Sequence, residues 1–151
     1  MNIRHILAPT DFSEHSAQAV TYAFELAQKV GAKLSLLHVI EVPVYPIEVY
    51  LPLKDLEQDA RRELARLLPE AETAHVTVTR LVEMGVPYQK ILETAATEQV
   101  DLIVMATHGR TGLSHLVMGS VAERMVRTAP CPVLTIRPPG ESSVGLRTTL
   151  I

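Results

Sequence analysis

Short apolar runs alternate with longer amphipathic stretches along the chain. Residues 3–8 (IRHILA) and 33–39 (KLSLLHV) are rich in leucine and β-branched residues, which favour strands. Between them, apolar residues recur every three or four positions, at Ala17, Val20, Phe24 and Ala27. This spacing predicts an amphipathic helix, with Ser13 as its N-terminal cap and Gly31 just beyond its end.

The same alternation continues to residue 136. The pattern predicts a helix over 53–68, a strand over 75–83, a helix from Pro87 to near Gln99, a strand over 101–106, a helix from Ser120 and a strand over 133–136. Strand and helix thus alternate five times. This order predicts a single-domain α/β fold in three layers, with a parallel sheet, right-handed crossovers and helices on both faces.

The segment from Asp101 to Ser120 (DLIVMATHGRTGLSHLVMGS) holds the strongest functional signal. An apolar strand leads into a loop, and Ser120 and Glu123 fit a capping box in which the Ser120 hydroxyl caps the following helix. Gly119 stands directly before that helix, where the absence of a side chain lets a ligand approach the backbone. Free amides and the positive end of the helix dipole favour phosphate, so the segment predicts an anion site.

Composition narrows the classes of partner. At 151 residues the chain fits one domain that can bury a sizeable core. Its net charge of −3, and 4% aromatic residues without tryptophan, argue against a general affinity for nucleic acid or an anionic membrane. No stretch fits a signal peptide or a membrane span, so we expect a cytoplasmic protein. We expect it to bind neither nucleic acid nor a membrane. The single Cys131 excludes an internal disulfide.

The loop after the fourth strand resembles the nucleotide motif of the universal stress proteins. Nucleotide-binding members carry Gly, two residues, Gly, nine residues, then Gly-Ser or Gly-Thr. Here Ala106 stands at the first position, and Gly109, Gly119 and Ser120 match the others. Further similar segments are Ala8-Pro9-Thr10-Asp11, Gly85-Val86-Pro87 and Pro130-Cys131-Pro132-Val133-Leu134. The resemblance covers nearly residues 1 to 138, and the chain is identified as a member of the ATP-binding subgroup.

This resemblance implies a Rossmann-like fold similar to the adenine nucleotide alpha hydrolases, with a five-stranded parallel sheet of order 3-2-1-4-5. We expect residues 1–139 to form this domain and residues 140–151 a C-terminal tail. In that order strands one and four are neighbours, so the turn at Asp11 and the loop at Gly109 would share one crevice where the strand order reverses.

The resemblance also implies an ATP site in that crevice, with Asp11 facing the adenine and ribose. From the residues alone, Asp11 fits equally well as a cap of the next helix. The residues expected to contact the nucleotide are Pro9, Thr10, Asp11, Val39, Met105, Ala106, Thr107, His108, Gly109, Arg110, Gly119, Ser120 and Val121. We expect a Mg²⁺ or Mn²⁺ ion to bridge the phosphates, with no protein residue assigned as a metal ligand.

Ala106 departs from the motif. An alanine disfavours the positive φ that a glycine tolerates, so we expect it to weaken nucleotide binding. Binding is nevertheless better supported than catalysis, because no GxxxxGK[ST] motif is present and no residue is assigned as catalytic. Two alternatives stay open: slow ATP hydrolysis or phosphoryl transfer in the same crevice, and a nucleotide-free interaction protein that contacts its unknown partner through residues 41–52.

Oligomerisation is also expected from the resemblance. The last strand, Val133 to Ile136, would lie at the sheet edge, and an uncovered edge favours pairing with a second copy. We therefore expect a homodimer through this strand. Together these expectations describe an ATP-binding universal stress protein that acts as a dimeric stress-response or signalling module.

Overall fold

Five strands and four helices make up the part of the chain that is described. The computed structural model describes residues 2–42, 52–70, 73–109 and 118–137. In chain order the elements are β1 (His5–Pro9), α1 (Glu14–Val30), β2 (Lys33–Ile40), α2 (Leu53–Leu67), β3 (Val78–Met84), α3 (Pro87–Thr97), β4 (Leu102–Ala106), α4 (Ser120–Thr128) and β5 (Val133–Ile136).

The strands form one parallel sheet in the order β3-β2-β1-β4-β5, which confirms the expected topology. β1 lies between β2 and β4, with Ile6 opposite both Leu34 and Leu102. In a parallel sheet all carboxyl ends lie along one edge, so the segments that follow β1 and β4 leave the sheet side by side. The strand order reverses at this point.

Both faces of the sheet are covered by helices, which confirms the three-layer arrangement. Successive residues of a strand point to opposite faces, so each buried strand contributes to two cores. Packed with α1 and α2 are Ile6, Ala8, Leu34, Leu36, Leu102 and Val104. Packed with α3 and α4 are Leu7, Leu37, Ile103 and Met105. Because strands β1 and β4 are buried throughout, β4 reads as an unbroken apolar run in the sequence and β1 as one that starts after His5.

The predicted ends of α1 are confirmed. The Ser13 side chain accepts a hydrogen bond from the Ser16 amide at 3.2 Å, which satisfies one of the free amides of the first turn. At the other end Gly31 has φ 70°, and its amide donates to the Ala27 carbonyl. A glycine adopts this left-handed conformation without the steric cost that a β-carbon brings.

The predicted capping box of α4 is wrong. The cap residue is Gly119, with no side-chain cap bond, and Ser120 is the first residue of the helix. The Glu123 amide donates to the Gly119 carbonyl at 2.9 Å, and the Gly119 amide donates to the Thr107 carbonyl at 2.7 Å. The helix thus begins at Ser120, as predicted, but its cap is Gly119, one residue before the position that the capping box gave.

Most other boundaries differ from the predictions by one to three residues, and two of these differences have a clear cause in the contacts. The strand predicted over 75–83 begins at Val78, because Val76 closes a turn by donating its amide to the Thr73 carbonyl. β4 begins at Leu102, since the Asp101 carboxylate accepts the amides of Arg4 and His5 at 2.8 and 3.0 Å. No helix in the described ranges is long and apolar enough to cross a membrane.

Candidate functional site

The candidate site lies beyond the carboxyl ends of β1 and β4. The Thr10 amide donates to the Leu37 carbonyl at 2.8 Å, and the Thr107 amide donates to the Ile136 carbonyl at 3.0 Å. Backbone pairing thus continues one residue past each strand and fixes where the two following segments start. Both threonines are buried, at 6% and 4% exposure.

Asp11 and Gly109 are in close contact across these two segments. A β-carbon on residue 109 would lie 2.6 Å from Oδ2 of Asp11, a separation that real β-carbons essentially never show. Residue 109 must therefore be glycine while Asp11 keeps this position. The second glycine of the sequence motif is explained by the close approach of a carboxylate from about a hundred residues away.

Gly119, directly before α4, brings a third segment of chain to the site, beside the segments that follow β1 and β4. A β-carbon at this residue would lie 3.2 Å from the Thr107 carbonyl oxygen and 3.8 Å from the Gly109 nitrogen. Its backbone angles, φ −58° and ψ 146°, suit any residue. The requirement for glycine is therefore one of space, because the start of α4 is held directly against residues 107–109.

The first turn of α4 supplies backbone donors next to these glycines. Because the first bond inside the helix runs from Glu123 to Gly119, the amides of Ser120, Val121 and Ala122 have no partner within the helix. The nine-residue helix also adds the positive end of its dipole. This arrangement suits an anionic group at the end of the helix, provided by backbone rather than by a charged side chain.

The β1–α1 turn holds Asp11 through a chain of short hydrogen bonds. Oδ1 of Asp11 accepts the Ser13 amide at 2.9 Å. The Thr10 hydroxyl bonds to the Ser16 hydroxyl at 2.9 Å and accepts the Phe12 amide at 3.0 Å. Asp11 is therefore not the cap of α1, which is Ser13; its carboxylate closes the turn before the helix and also faces the Gly109 segment.

The alanine in the motif occupies an ordinary strand position. Ala106 is the last residue of β4, opposite Ile136, and is 8% exposed. Among the described non-glycine residues, only Phe12 and Gln99 have a positive φ. Ala106 therefore does not adopt the positive φ on which the expected weakening of nucleotide binding was based, and it lies at the end of a buried strand.

The residues expected beside the base occupy one face of the sheet. Val39, near the end of β2, and Met105, in β4, both belong to the core shared with α3 and α4. Met105 is 6% exposed, whereas Val39 is half-buried. Pro9, the last residue of β1, is buried between them in sheet order.

Thr107 and His108 form a small polar cluster beside the glycines. The Thr107 hydroxyl lies 2.9 Å from Nδ1 of His108 and 3.4 Å from the Ile136 carbonyl. Nε2 of His108 is buried and has no hydrogen-bond partner among the described residues. The ring of His15, in the first turn of α1, meets the His108 ring edge-on at 6.3 Å. Sequence reasoning missed His15, since periodicity along one helix carries no signal of a neighbour 93 positions away.

Several sequence-predicted positions fall outside the described residues. They are Arg110, most of the 41–52 segment, and the tail from residue 140. Within the described ranges, no three His, Cys, Asp or Glu side chains are grouped as a metal site would require. The site is thus assembled from Pro9–Asp11, Thr107–Gly109 and Gly119–Val121.

A concavity of about 770 Å³ lies at the opposite, amino-terminal edge of the sheet. It is lined by polar groups that include Arg4, His5 and Lys33. The buried His5 already uses both ring nitrogens, with Nδ1 3.0 Å from the Glu98 carbonyl and Nε2 2.8 Å from the Ser35 hydroxyl. We place the functional site at the carboxyl edge, where glycines and helix amides converge.

Comparison with known proteins agrees with this architecture. Universal stress protein MJ0531 of Methanocaldococcus jannaschii is 33% identical over 144 residues, which covers 90% of this chain and 83% of that protein. The solved structure of universal stress protein UspA from Lactobacillus plantarum is 27% identical and has a TM-score of 0.77. That match covers 91% of this chain and 99% of the other.

Two more distant solved structures contain a nucleotide. One is a universal stress protein in complex with cAMP, 21% identical with a TM-score of 0.67, covering 90% of this chain and 98% of that chain. The other is a universal stress family protein of Arabidopsis thaliana with AMP bound, 18% identical with a TM-score of 0.63, covering 92% and 94%. At these identities the likeness establishes the fold alone.

The family model described as the universal stress protein family matches residues 2–137. That range includes all nine elements and each of the three segments that form the site. The chain belongs to the universal stress protein family.

Proposed function

We propose that this protein binds ATP at the carboxyl edge of the sheet and acts as a dimeric stress-response or signalling module. The observation that carries the proposal is the contact of Asp11 with Gly109, next to a helix start packed on the Thr107 carbonyl. Three separate stretches of chain meet there. Two of the contacts depend on residues 109 and 119 being glycines, which have no β-carbon. The first-turn amides of α4, which have no partner within the helix, lie next to this junction and suit a phosphate group.

Each part of ATP has a chemically matched group in this junction. The first-turn amides of Ser120 and Val121 suit the phosphates, since they supply donors together with the positive end of the α4 dipole. The Asp11 carboxylate suits the ribose hydroxyls, because a carboxylate accepts from two neighbouring donors. Val39 and Met105, on one face of the sheet, suit an apolar contact with the base.

The proposed divalent cation would take its ligands mainly from the nucleotide. Mg²⁺ keeps several waters and is commonly held by substrate phosphates with only one or two carboxylates. A cation site made only of protein ligands requires several such side chains close together. Residues 2–42, 52–70, 73–109 and 118–137 contain no group of three or more His, Cys, Asp or Glu side chains that could hold a metal ion. We propose that Mg²⁺ or Mn²⁺ bridges the phosphates and adds charge compensation there.

Dimerisation is proposed through β5. Among the described residues this strand is at the sheet edge and pairs only with β4. Its four residues are half-buried, and an edge of unpaired backbone groups favours addition of a strand from a second copy. The two sites of such a dimer would each be complete within one protomer.

Titration calorimetry with ATP, ADP, AMP and adenosine, in the presence of Mg²⁺, tests the proposal. Wild-type protein is expected to bind ATP, and Asp11→Ala to weaken binding by at least tenfold, about 1.4 kcal/mol. Asp59→Ala, which removes an exposed carboxylate from α2, is the matched control and should bind like wild type. No measurable affinity of wild type for any adenine nucleotide would refute the proposal and favour the nucleotide-free interaction protein.

A thermal shift gives an independent readout of the same binding. Nucleotide at about 100 times its Kd adds about 2.7 kcal/mol to the folded state. For a domain of this length, that corresponds to a rise in Tm of about 5–11 °C. An enzymatic role would further require product formation over many turnovers that Asp11→Ala abolishes.

A further inference from the structure

Phe12 adopts a backbone conformation that bulky residues rarely take. Its φ is 65°, in the left-handed region where a β-carbon comes too close to the following carbonyl oxygen. The residue lies directly after Asp11, in the turn that joins β1 to α1. Such a conformation persists only where the surroundings hold it, and it occurs most often at functional sites.

Two interactions hold Phe12 in place. Its amide donates to the Thr10 hydroxyl at 3.0 Å, and that hydroxyl is itself bonded to Ser16 in α1. Its ring stacks on the imidazole of His38, with ring centroids 4.2 Å apart and planes inclined by 27°. The ring also packs against the core shared with α1 and α2. The strained backbone of Phe12 is therefore held in part by the side chain of His38, in β2.

His38 connects β2 to the same turn by a second route. Its Nδ1 lies 2.8 Å from the Thr10 carbonyl oxygen. Because a carbonyl can only accept, Nδ1 carries the proton and donates it. A single imidazole thus holds the residue before Asp11 by a hydrogen bond and the residue after Asp11 by stacking.

We propose that His38 and Phe12 are positioning residues that fix the Asp11 carboxylate for the ligand. The backbone on both sides of Asp11 is held, so its carboxylate keeps one oxygen on the Ser13 amide and the other against Gly109. This inference rests on the proposed ATP site and adds residues that the family motif does not contain. Neither side chain needs to touch the nucleotide in order to act.

A positioning role differs from ordinary packing in one measurable respect. Packing residues lower stability, and any effect on binding is independent of Asp11. Positioning residues act through Asp11, so their effect on affinity should disappear when the Asp11 carboxylate is absent. A double-mutant cycle measures this dependence directly.

The variants are Phe12→Leu, which keeps apolar bulk but loses the stacked ring, and His38→Ala, each made in wild-type and Asp11→Ala backgrounds. We expect each to weaken ATP binding on the order of tenfold in the wild-type background and to have no further effect with Asp11→Ala. His38→Asn, whose amide can donate from near the Nδ1 position, should recover part of the affinity. Equal losses in both backgrounds would overturn the proposal.

Folding and ligand binding are separated by two further measurements. Urea unfolding of every variant identifies those that are folded under the conditions of the titration. If Phe12→Leu is not folded, the cycle of His38→Ala with Asp11→Ala tests the proposal by itself. If wild type binds no nucleotide, the proposed function fails. The positioning role is then tested separately, by following the NMR signal of the Asp11 side-chain carboxyl carbon as the pH is changed. A titration midpoint of that carboxyl that is unchanged by His38→Ala would refute the positioning role as well.

Discussion

Oδ2 of Asp11 occupies the space that a side chain on residue 109 would need, 2.6 Å from an ideal β-carbon there. Gly109→Ala must therefore move the carboxylate or the Gly109 backbone. We expect this variant to lower the free energy of unfolding by about 1–3 kcal/mol, the usual cost of overpacking. Urea denaturation measures the loss, and calorimetry should show weaker ATP binding.

A control removes the Asp11 carboxylate, which is the group that the new methyl group of Gly109→Ala would meet. In the double variant Asp11→Ala, Gly109→Ala, the new methyl group no longer meets a carboxylate oxygen. We expect the second substitution to cost much less stability in this background than in wild type, because the two effects share one contact. An equal cost in both backgrounds would show that Gly109 is required for another reason.

Gly119→Val is expected to separate phosphate binding from binding of the nucleoside. A β-carbon at residue 119 would lie 3.2 Å from the Thr107 carbonyl oxygen, so valine is expected to push the start of α4, with its first-turn amides, away from residues 107–109. Affinity for ATP should fall by at least tenfold, about 1.4 kcal/mol, and affinity for adenosine much less. Calorimetry with both ligands makes the comparison within one variant.

Arg127→Ala is the matched control for this helix. It truncates an exposed side chain in the last turn of α4, where an ion pair with Glu123 contributes little. Both nucleotide affinities should remain at the wild-type value. If Gly119→Val lowered the affinities for ATP and adenosine equally, the start of α4 would not be the phosphate position.

Much of the fold was predictable because the strands are buried on both faces. β1 and β4 read as short apolar runs, and the glycine after α1 marked its end. The buried face of α1 was harder to predict from the pattern of apolar residues. Phe24 was predicted to point inward and does pack against the core, although it is only half-buried, whereas Ala19 and Ala23, which were not singled out, are fully buried. Small residues let this helix lie close to the sheet, and a pattern weighted by large apolar residues overlooks them.

The site was predicted in outline, but its contacts were not. The motif placed Gly109 and Gly119 correctly at the carboxyl edge, while the reason for each glycine is a contact with a distant residue. The cap of α4 was placed one residue too late for the same reason, since the Gly119 amide is held by the distant Thr107 carbonyl. Phe12 was not singled out, because a left-handed φ held by a residue of another strand has no local signature.

The buried His5 should make stability depend on pH. Burial is the main reason that its pKa lies below the ordinary value of 6.5, although the Glu98 carbonyl partly opposes this. The unfolded chain therefore takes up the proton first as pH falls. The contribution is complete above about pH 6.5 and is lost as pH falls from there towards the folded pKa. Urea unfolding at pH 7.5 and 5.5 should show lower stability at the lower pH.

His5→Asn identifies how much of this dependence belongs to one residue. The amide can still donate towards the Glu98 carbonyl but does not titrate, so the difference between the two pH values should shrink. His75→Asn, a change at an exposed histidine, should leave the difference as in wild type. A His5→Asn profile parallel to the wild-type profile would assign the pH dependence to other groups.

The backbone of β5 offers a test of the proposed dimer that leaves the sheet intact. The carbonyls of Pro132 and Ile136 accept from β4, each at 3.0 Å. Because backbone groups alternate in direction along a strand, those of Thr135 point away from β4. Thr135→Pro therefore removes a donor from the free edge, where proline is tolerated, without removing a bond to β4.

We expect wild type to sediment as a dimer and Thr135→Pro to shift towards the monomer of 16.6 kDa. Thr135→Ala keeps the amide and removes only the side chain, so it should remain dimeric. Circular dichroism and ATP calorimetry are the accompanying measurements, since each site is proposed to be complete in one protomer. A Thr135→Pro variant that stays dimeric would show that the contact uses another surface, and a monomeric wild type would refute the dimer itself.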